Sequence, residues 1–214
     1  MGFIDKVKNL LKGNETEPTQ TDDAEVTATG RVLDDHPSAK ITPSKLKQIL
    51  EDAENGDIQA QHQLFMDIEE QDSSIAANMM TRKRSVLTLD WRIVEPRNAT
   101  PAEEKLQAEI DELFYQYPNL EDLFIDLMDA VGHGFSALEI QWAQVDGKWV
   151  PKGFRPCPQP WFKLDKDDSL LLRTPANQMG EPLRPFGWVV HRHKSRSTQL
   201  ARDGLYRTLA WLYM

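Results

Sequence analysis

The chain has 214 residues, with 25 Lys and Arg against 34 Asp and Glu and a formal net charge of −9; its pI is near 5.1. That balance excludes a protein that is basic throughout and holds nucleic acid by bulk charge. Hydrophobic residues make up 40% and charged residues 28%, the composition of a chain that folds.

Phe3, Ile4, Val7, Leu10 and Leu11 recur at helical intervals among Lys6, Lys8 and Lys12, which predicts a short basic amphipathic helix over 1–12, stopped by Gly13-Asn14. From Gly13 to His36, Glu15, Glu17, Asp22, Asp23, Glu25, Asp34 and Asp35 face a single Arg31, with little apolar to bury, so 13–40 reads as an acidic flexible linker. Thr42-Pro43 predicts a capped helix through Leu46, Ile49 and Leu50 to Asn55-Gly56. Asp57 caps the next, which carries Ile58, Leu64, Phe65 and Ile68. Asp72-Ser73-Ser74 starts another through Ile75, Met79 and Met80 into Arg82-Lys83-Arg84, cations at the end where the helix dipole favours them. Between Thr88 and Val94, Leu89, Trp91 and Ile93 alternate with Asp90 and Arg92, which predicts a half-buried strand.

Thr100-Pro101-Ala102-Glu103 is a capping box ahead of Leu106, Ile110, Leu113 and Tyr117. Pro118-Asn119 breaks that helix, and Leu120, Leu123, Phe124, Leu127 and Val131 predict a second one ending at Gly132. The outer face of the pair is acidic, from Glu103 and Glu104 to Asp126 and Asp129, against Lys105. After Gly132-His133-Gly134, a turn suited to glycine backbone angles, the period changes to that of a strand: Leu138, Ile140 and Trp142 alternate with Glu139 and Gln141. Asp146-Gly147 is a hairpin turn, and Trp149 and Phe154 lie on the returning strand. Short strands at Trp161–Leu164, Leu170–Arg173 and Gly187–His191 complete an antiparallel sheet. Helices first and strands after define an α+β fold, with Trp91, Trp142, Trp149 and Trp161 assigned to core packing. Leu205, Leu209 and Leu212 share a face of a last helix that is still apolar at Met214, so 204–214 reads as the start of a truncated helix in a longer protein, its apolar face exposed. The main α+β domain then covers 41–203.

Chemistry is sparse. The lone Cys157 rules out an internal disulfide and a cysteine-built zinc cage, and reads as an unreactive thiol. His191 and His193 would face the same way on a strand, but no third ligand stands at a suitable spacing. Gly132-His133-Gly134-Phe135-Ser136 lacks the order of a nucleophile elbow, and no phosphate-cradling loop is present. No catalytic, cofactor or metal site is therefore expected, and the protein reads as no enzyme. No apolar run reaches the ~18 residues of a membrane span, and no signal-peptide centre is present, so a cytoplasmic protein without membrane contact is expected. Two basic clusters stand out: Arg82-Lys83-Arg84 with Arg92 and Arg97, and Arg184, Arg192, Lys194, Arg196, Arg202 and Arg207. Their candidate role is contact with DNA or with the acidic helix pair of a neighbouring subunit, with Arg82, Lys83, Arg84, Arg192, Lys194 and Arg196 as the contacts.

The strings Asp67-Ile68-Glu69-Glu70-Gln71-Asp72, Thr81-Arg82-Lys83-Arg84-Ser85-Val86-Leu87-Thr88-Leu89-Asp90-Trp91-Arg92-Ile93 and Gly134-Phe135-Ser136-Ala137-Leu138-Glu139-Ile140 together resemble the Mu-like phage portal protein family. Gly147-Lys148-Trp149-Val150-Pro151, Trp161-Phe162, His191-Arg192-His193 and Gly204-Leu205-Tyr206-Arg207-Thr208-Leu209-Ala210-Trp211 agree in order and spacing, so the likeness runs from about Ile41 to Met214. The resemblance implies a non-enzymatic head–tail connector of the Mu-like prophage type, part of a ring of self-associated copies, dodecameric in the family. It further implies a place at one vertex of the capsid, assembled in the cytoplasm of a bacterial host, with terminase and capsid proteins as partners. Double-stranded DNA would pass through the channel of the complete ring during packaging and ejection. The matching part would be the peripheral wing, with the stem, clip and crown regions absent. Two other readings remain at this point: a stand-alone prophage nucleic-acid-binding module using the basic clusters, and a metal-dependent hydrolase built on His191 and His193.

Overall fold

The computed structural model of the protein describes residues 3–11, 16–23, 38 and 41–213. Helix α1 (Phe3–Leu11) seats Val7 against Val145 and Val150, and Lys6 pairs with Asp146 at 2.7 Å, so the basic helix docks on the main domain through its own apolar side. The helical layer comprises α3 (Pro43–Glu54), α4 (Gln59–Gln71) and α5 (Ser73–Ser85). Each start has a local cause. Thr42 accepts from the Lys45 amide at 3.3 Å, and Asp72 accepts from Ser74 at 2.8 Å and Ile75 at 3.0 Å, satisfying amides that a helix end leaves unpaired. Leu46, Leu50, Leu64, Phe65, Ile68 and Met79 form the core between them, joined by Val131, Tyr206 and Ala210.

Residues 89–94 form no strand, which corrects the predicted strand over Thr88–Val94; Val86–Thr88 is a 3-10 turn. Helix α6 (Pro101–Tyr115) takes the place of a neighbouring strand: Gln107 donates to the Ile93 carbonyl at 2.7 Å and the Ile93 amide donates to Asp111 at 3.4 Å. Trp91 stacks on Tyr115 with centroids 5.1 Å apart, so the alternation of apolar residues reports a face laid on a helix. The capping box of Thr100 and Glu103 is present, yet α6 fully buries none of its residues, and Leu106 is 55% exposed. The next predicted helix is two, α7 (Leu120–Met128) and a single turn, α8 (Ala130–His133).

Gly134, with φ of 93°, turns the chain from α8 into β1 (Phe135–Val145). The hairpin to β2 (Lys148–Cys157) turns at Asp146 (φ 50°) and Gly147 (φ 76°), the left-handed pair that matches strand twist. Its register passes from Gln141 opposite Gly153 to Trp142 opposite Pro151, leaving Lys152 as the extra residue of a bulge. With β6 (Trp188–Arg192) this forms an antiparallel sheet in the order β2-β1-β6. A second small sheet holds β3 (Phe162–Leu164), β4 (Leu170–Leu172) and β5 (Glu181–Pro182), so the predicted single sheet is divided in two. Phe135 and Ala137 of the first share a core with Phe162, Leu164, Leu170 and Leu172 of the second. The molecule is α+β. Of the four tryptophans assigned to packing, Trp149 is 53% exposed beside the hairpin turn and does not serve the core.

Residues 16–23 are a correction to the linker. Helix α2 (Gln20–Asp23) lies across the sheet, and Thr21 donates its amide, at 3.1 Å, and its hydroxyl to the buried Glu139 carboxylate. Gln20 accepts from the Trp188 indole and the Arg184 amide, each at 2.9 Å, while Asp22 pairs with Arg155. Ser38 of the predicted linker is buried too, its amide donating to Asp67 at 3.3 Å and its hydroxyl accepting from Gln71 at 2.9 Å; the remainder of that stretch lies outside the described residues.

Helix α9 (Leu205–Leu209) is five residues long and turns Tyr206 and Ala210 fully inward. Leu205 and Leu209 pack partly against the helical core, so of the predicted exposed face only Leu212, 79% exposed, stands free. Among the described residues no helix is long and apolar enough to cross a membrane.

Candidate functional site

Where α4, α5 and α8 meet, the chain assembles a buried charged centre. Lys83 Nζ lies 2.7 Å from an Asp129 carboxylate oxygen and 3.2 Å from one of Glu69. Burial alone would pull the Lys83 ammonium down, but Asp129 and then Glu69 more than restore it, and its pKa ends above the ordinary lysine value. Burial likewise pushes Asp129 up; His133 and Lys83, with a 2.6 Å hydrogen bond from Gln159, outweigh that and hold it below the usual carboxylate range.

His133 Nδ1 and His62 Nδ1 are 3.0 Å apart, so one ring donates its N–H and the other accepts. Burial lowers both histidines below the ordinary imidazole value, His62 furthest. Phe65, Phe135 and Tyr206 close around them edge-on. A Cβ on Gly132 would lie 2.3 Å from a ring atom of Tyr206, so α8 must carry glycine there for the tyrosine to enter. A cavity of about 460 Å³ opens beside the centre, lined by Glu69, Lys83, Asp126, Asp129, His133 and Cys157 among others. Burial pushes the Cys157 thiol up to about 12, so it is a thiol in packing contact and no nucleophile.

Lys83 therefore faces inward, 9% exposed, and the stretch read as a basic cluster presents Arg82 and Arg84 to solvent instead of three cations. The second cluster is also thinned by internal pairs: Arg184 with Asp23, and Arg202 and Arg207 with Glu54. Arg192 donates to the Asp168 carbonyl at 2.8 Å, while Lys194 and Arg196 are exposed. Helix α7 packs on both α5 and β6, so the acidic residues Glu121, Asp122 and Asp126 lie on the element between the two cation groups. His191 donates its Nδ1–H to the Leu127 carbonyl at 2.7 Å. Neither His191 nor His193 belongs to the group of potential metal ligands found among the described residues, which is Glu69, Asp129 and His133. Sequence reasoning missed that group. Its readable trace is the four-residue interval from Asp129 to His133, which puts both side chains on one face of a helical turn.

The chain is thus α+β, with a paired charged centre buried where its helices meet, and comparison with known proteins supplies its family. Residues 62–214 match the family model described as the portal protein of Mu bacteriophage. The chain is 36% identical over 184 residues to the Mu-like prophage FluMu protein gp29 of Haemophilus influenzae, covering 84% of this chain and 35% of that one. It is 35% identical over 181 residues to the portal protein of Escherichia phage Mu, with the same coverage of 84% and 35%. The chain belongs to the portal protein family of Mu-like phages and spans about a third of the length of the curated relatives it matches.

Proposed function

We propose that this chain is a wing-region portion of a ring-forming portal subunit of a Mu-like phage, a non-enzymatic part of the capsid vertex through which DNA enters and leaves. The observation that carries this reading is the match to the portal protein of Escherichia phage Mu across 84% of the chain. Subunits meet head to tail. Exposed cations of one copy, Arg82, Arg84, Arg192, Lys194 and Arg196, face the acidic side of α6 and α7 in the next, and an interface of two unlike surfaces generates a closed ring when its rotation closes. Leu89, Val94 and Leu106, all more than half exposed beside that acidic side, supply apolar area for the contact. Capsid and terminase proteins are the partners of the assembled ring, and DNA is its cargo.

The test is genetic. A Mu phage lacking its portal protein is supplied with a hybrid in which this chain replaces the matching portion. Plaques are the expected result; their absence, with the hybrid stably expressed and the native portal restoring growth, contradicts the proposal.

A further inference from the structure

The buried centre has a feature that an internal ion pair leaves unexplained. Two carboxylates and an imidazole, Glu69, Asp129 and His133, bring one potential ligand atom each to within 4.8 Å of one another. The Tyr206 hydroxyl beside them is fully buried and makes no hydrogen bond of ordinary geometry; burial, then the approach of the hydroxyl to Glu69, then the charges of Glu69 and Asp129 raise the phenol's pKa. A buried hydroxyl without a well-formed hydrogen bond costs free energy that a ligand bound beside it would recover.

We propose that Glu69, Asp129 and His133 form a site for a divalent transition-metal ion of the zinc type, and that the Lys83 ammonium holds the ion's place when the metal is absent. Lys83 Nζ, 2.7 Å from Asp129 and 3.2 Å from Glu69, marks where a cation is stable. Imidazole with two carboxylates suits zinc, whose ligands stand ~2.0–2.2 Å from the ion and hence roughly 3.4 Å from one another in a tetrahedron. The three groups close to that spacing by small side-chain motions. In the tautomer that donates Nδ1–H to His62, His133 keeps its Nε2 lone pair free for the metal, and the hydrogen bond to His62 orients the ring. Tyr206 points its hydroxyl at the same carboxylates and finds a partner in the metal or its water. The cavity gives Lys83 room to withdraw, and Asp126 on the cavity wall offers it another carboxylate. The site ties α4 to α8 in one coordination sphere and acts as a structural clamp. This inference is independent of the portal reading, and neither fails with the other.

The experiment uses the purified chain, freed of metal with chelator and titrated with Zn²⁺ alone by calorimetry and thermal melting. One ion per chain and a raised Tm are expected. Glu69→Gln and His133→Ala abolish that binding, and His62→Ala weakens it by about 10-fold, as loss of an orienting partner does. Lys83→Met binds at least as tightly as the native chain, and its Tm rises more on adding Zn²⁺, because the competing ammonium is gone. Absence of stoichiometric binding, binding unchanged in Glu69→Gln and His133→Ala, or binding lost in Lys83→Met while that variant stays folded each overturns the proposal. Co²⁺ loaded into the native chain covers the case where variants unfold: visible bands of tetrahedral nitrogen and oxygen ligation support the site, and a spectrum of hexa-aquo cobalt refutes it.

Discussion

Lys83 shows why the identity of a residue does not fix its role. Its neighbours Arg82 and Arg84 reach solvent, while the helix turns Lys83 toward Asp129 and Glu69, where removing it would strand two carboxylates in a poorly hydrated site. Gly132 is the complementary case, a residue chosen for what it lacks. Gly132→Ala drives a methyl group into the Tyr206 ring and is expected to cost ~1–3 kcal/mol, the usual range for over-packing. A thermal melt checks this, and an unchanged Tm contradicts the packing described. Glu54 carries a pH dependence. Its hydrogen bond from Arg202, with the charges of Arg207 and Arg202, outweighs burial and lowers its pKa. A carboxylate with a lowered folded pKa contributes stability above its unfolded value, and that contribution is lost as pH falls through the folded value. The Tm difference between the native chain and Glu54→Gln is therefore expected to be present at neutral pH and to shrink as the solution is acidified below the ordinary glutamate range. A difference that grows on acidification contradicts the assignment.

At the scale of elements, what could be read in the sequence was what is decided locally. Thr42, Asp72 and the Thr100–Glu103 box start their helices through bonds between near neighbours in the chain, and Asp146-Gly147 turns its hairpin through backbone angles of its own. Elements decided by distant partners were misread. Alternation from Leu89 to Ile93 specifies an extended face but not whether a strand or α6 receives it. Residues 16–23 look solvated because they carry no apolar side chains. Their anchor is polar: Thr21 on Glu139, a carboxylate 1% exposed. The buried centre was invisible for the same reason, since its members come from α4, α5 and α8 and only the Asp129-to-His133 interval is local. Thr21→Val removes the hydroxyl donor to Glu139 and is expected to cost ~1–3 kcal/mol, the penalty for a buried polar group left unsatisfied. Limited proteolysis would then cut residues 16–23 faster than in the native chain. An unchanged rate would mean that Thr21 does not hold the segment.

Over the whole molecule, a net charge of −9 hides an uneven distribution. Among the described residues, ion pairs within the chain engage Lys83, Arg155, Arg173, Arg184, Arg202 and Arg207, while α6 and α7 carry an acidic outer face and Arg82, Arg84, Lys194 and Arg196 are exposed on other parts of the chain. Attraction between such unlike surfaces is screened within about 10 Å at 0.1 M salt. Association of copies is accordingly expected to weaken as salt rises and to fall further when Arg82 and Arg84 are both changed to Glu; insensitivity to both would remove charge from the account of assembly. The resemblance to portal proteins was legible because many short strings agree in order, each too brief to be specific. The proposed ring was not legible, because its contacts would lie between copies.

The central claim is that this chain is part of a portal ring, and mass in solution addresses it most directly. The portal protein of Escherichia phage Mu, with its matching portion replaced by this chain, is purified and measured by light scattering on a size-exclusion column. A single closed oligomer with the mass of the native portal ring is predicted. A hybrid that folds but stays monomeric at every concentration, where the native portal forms its ring, would contradict the account.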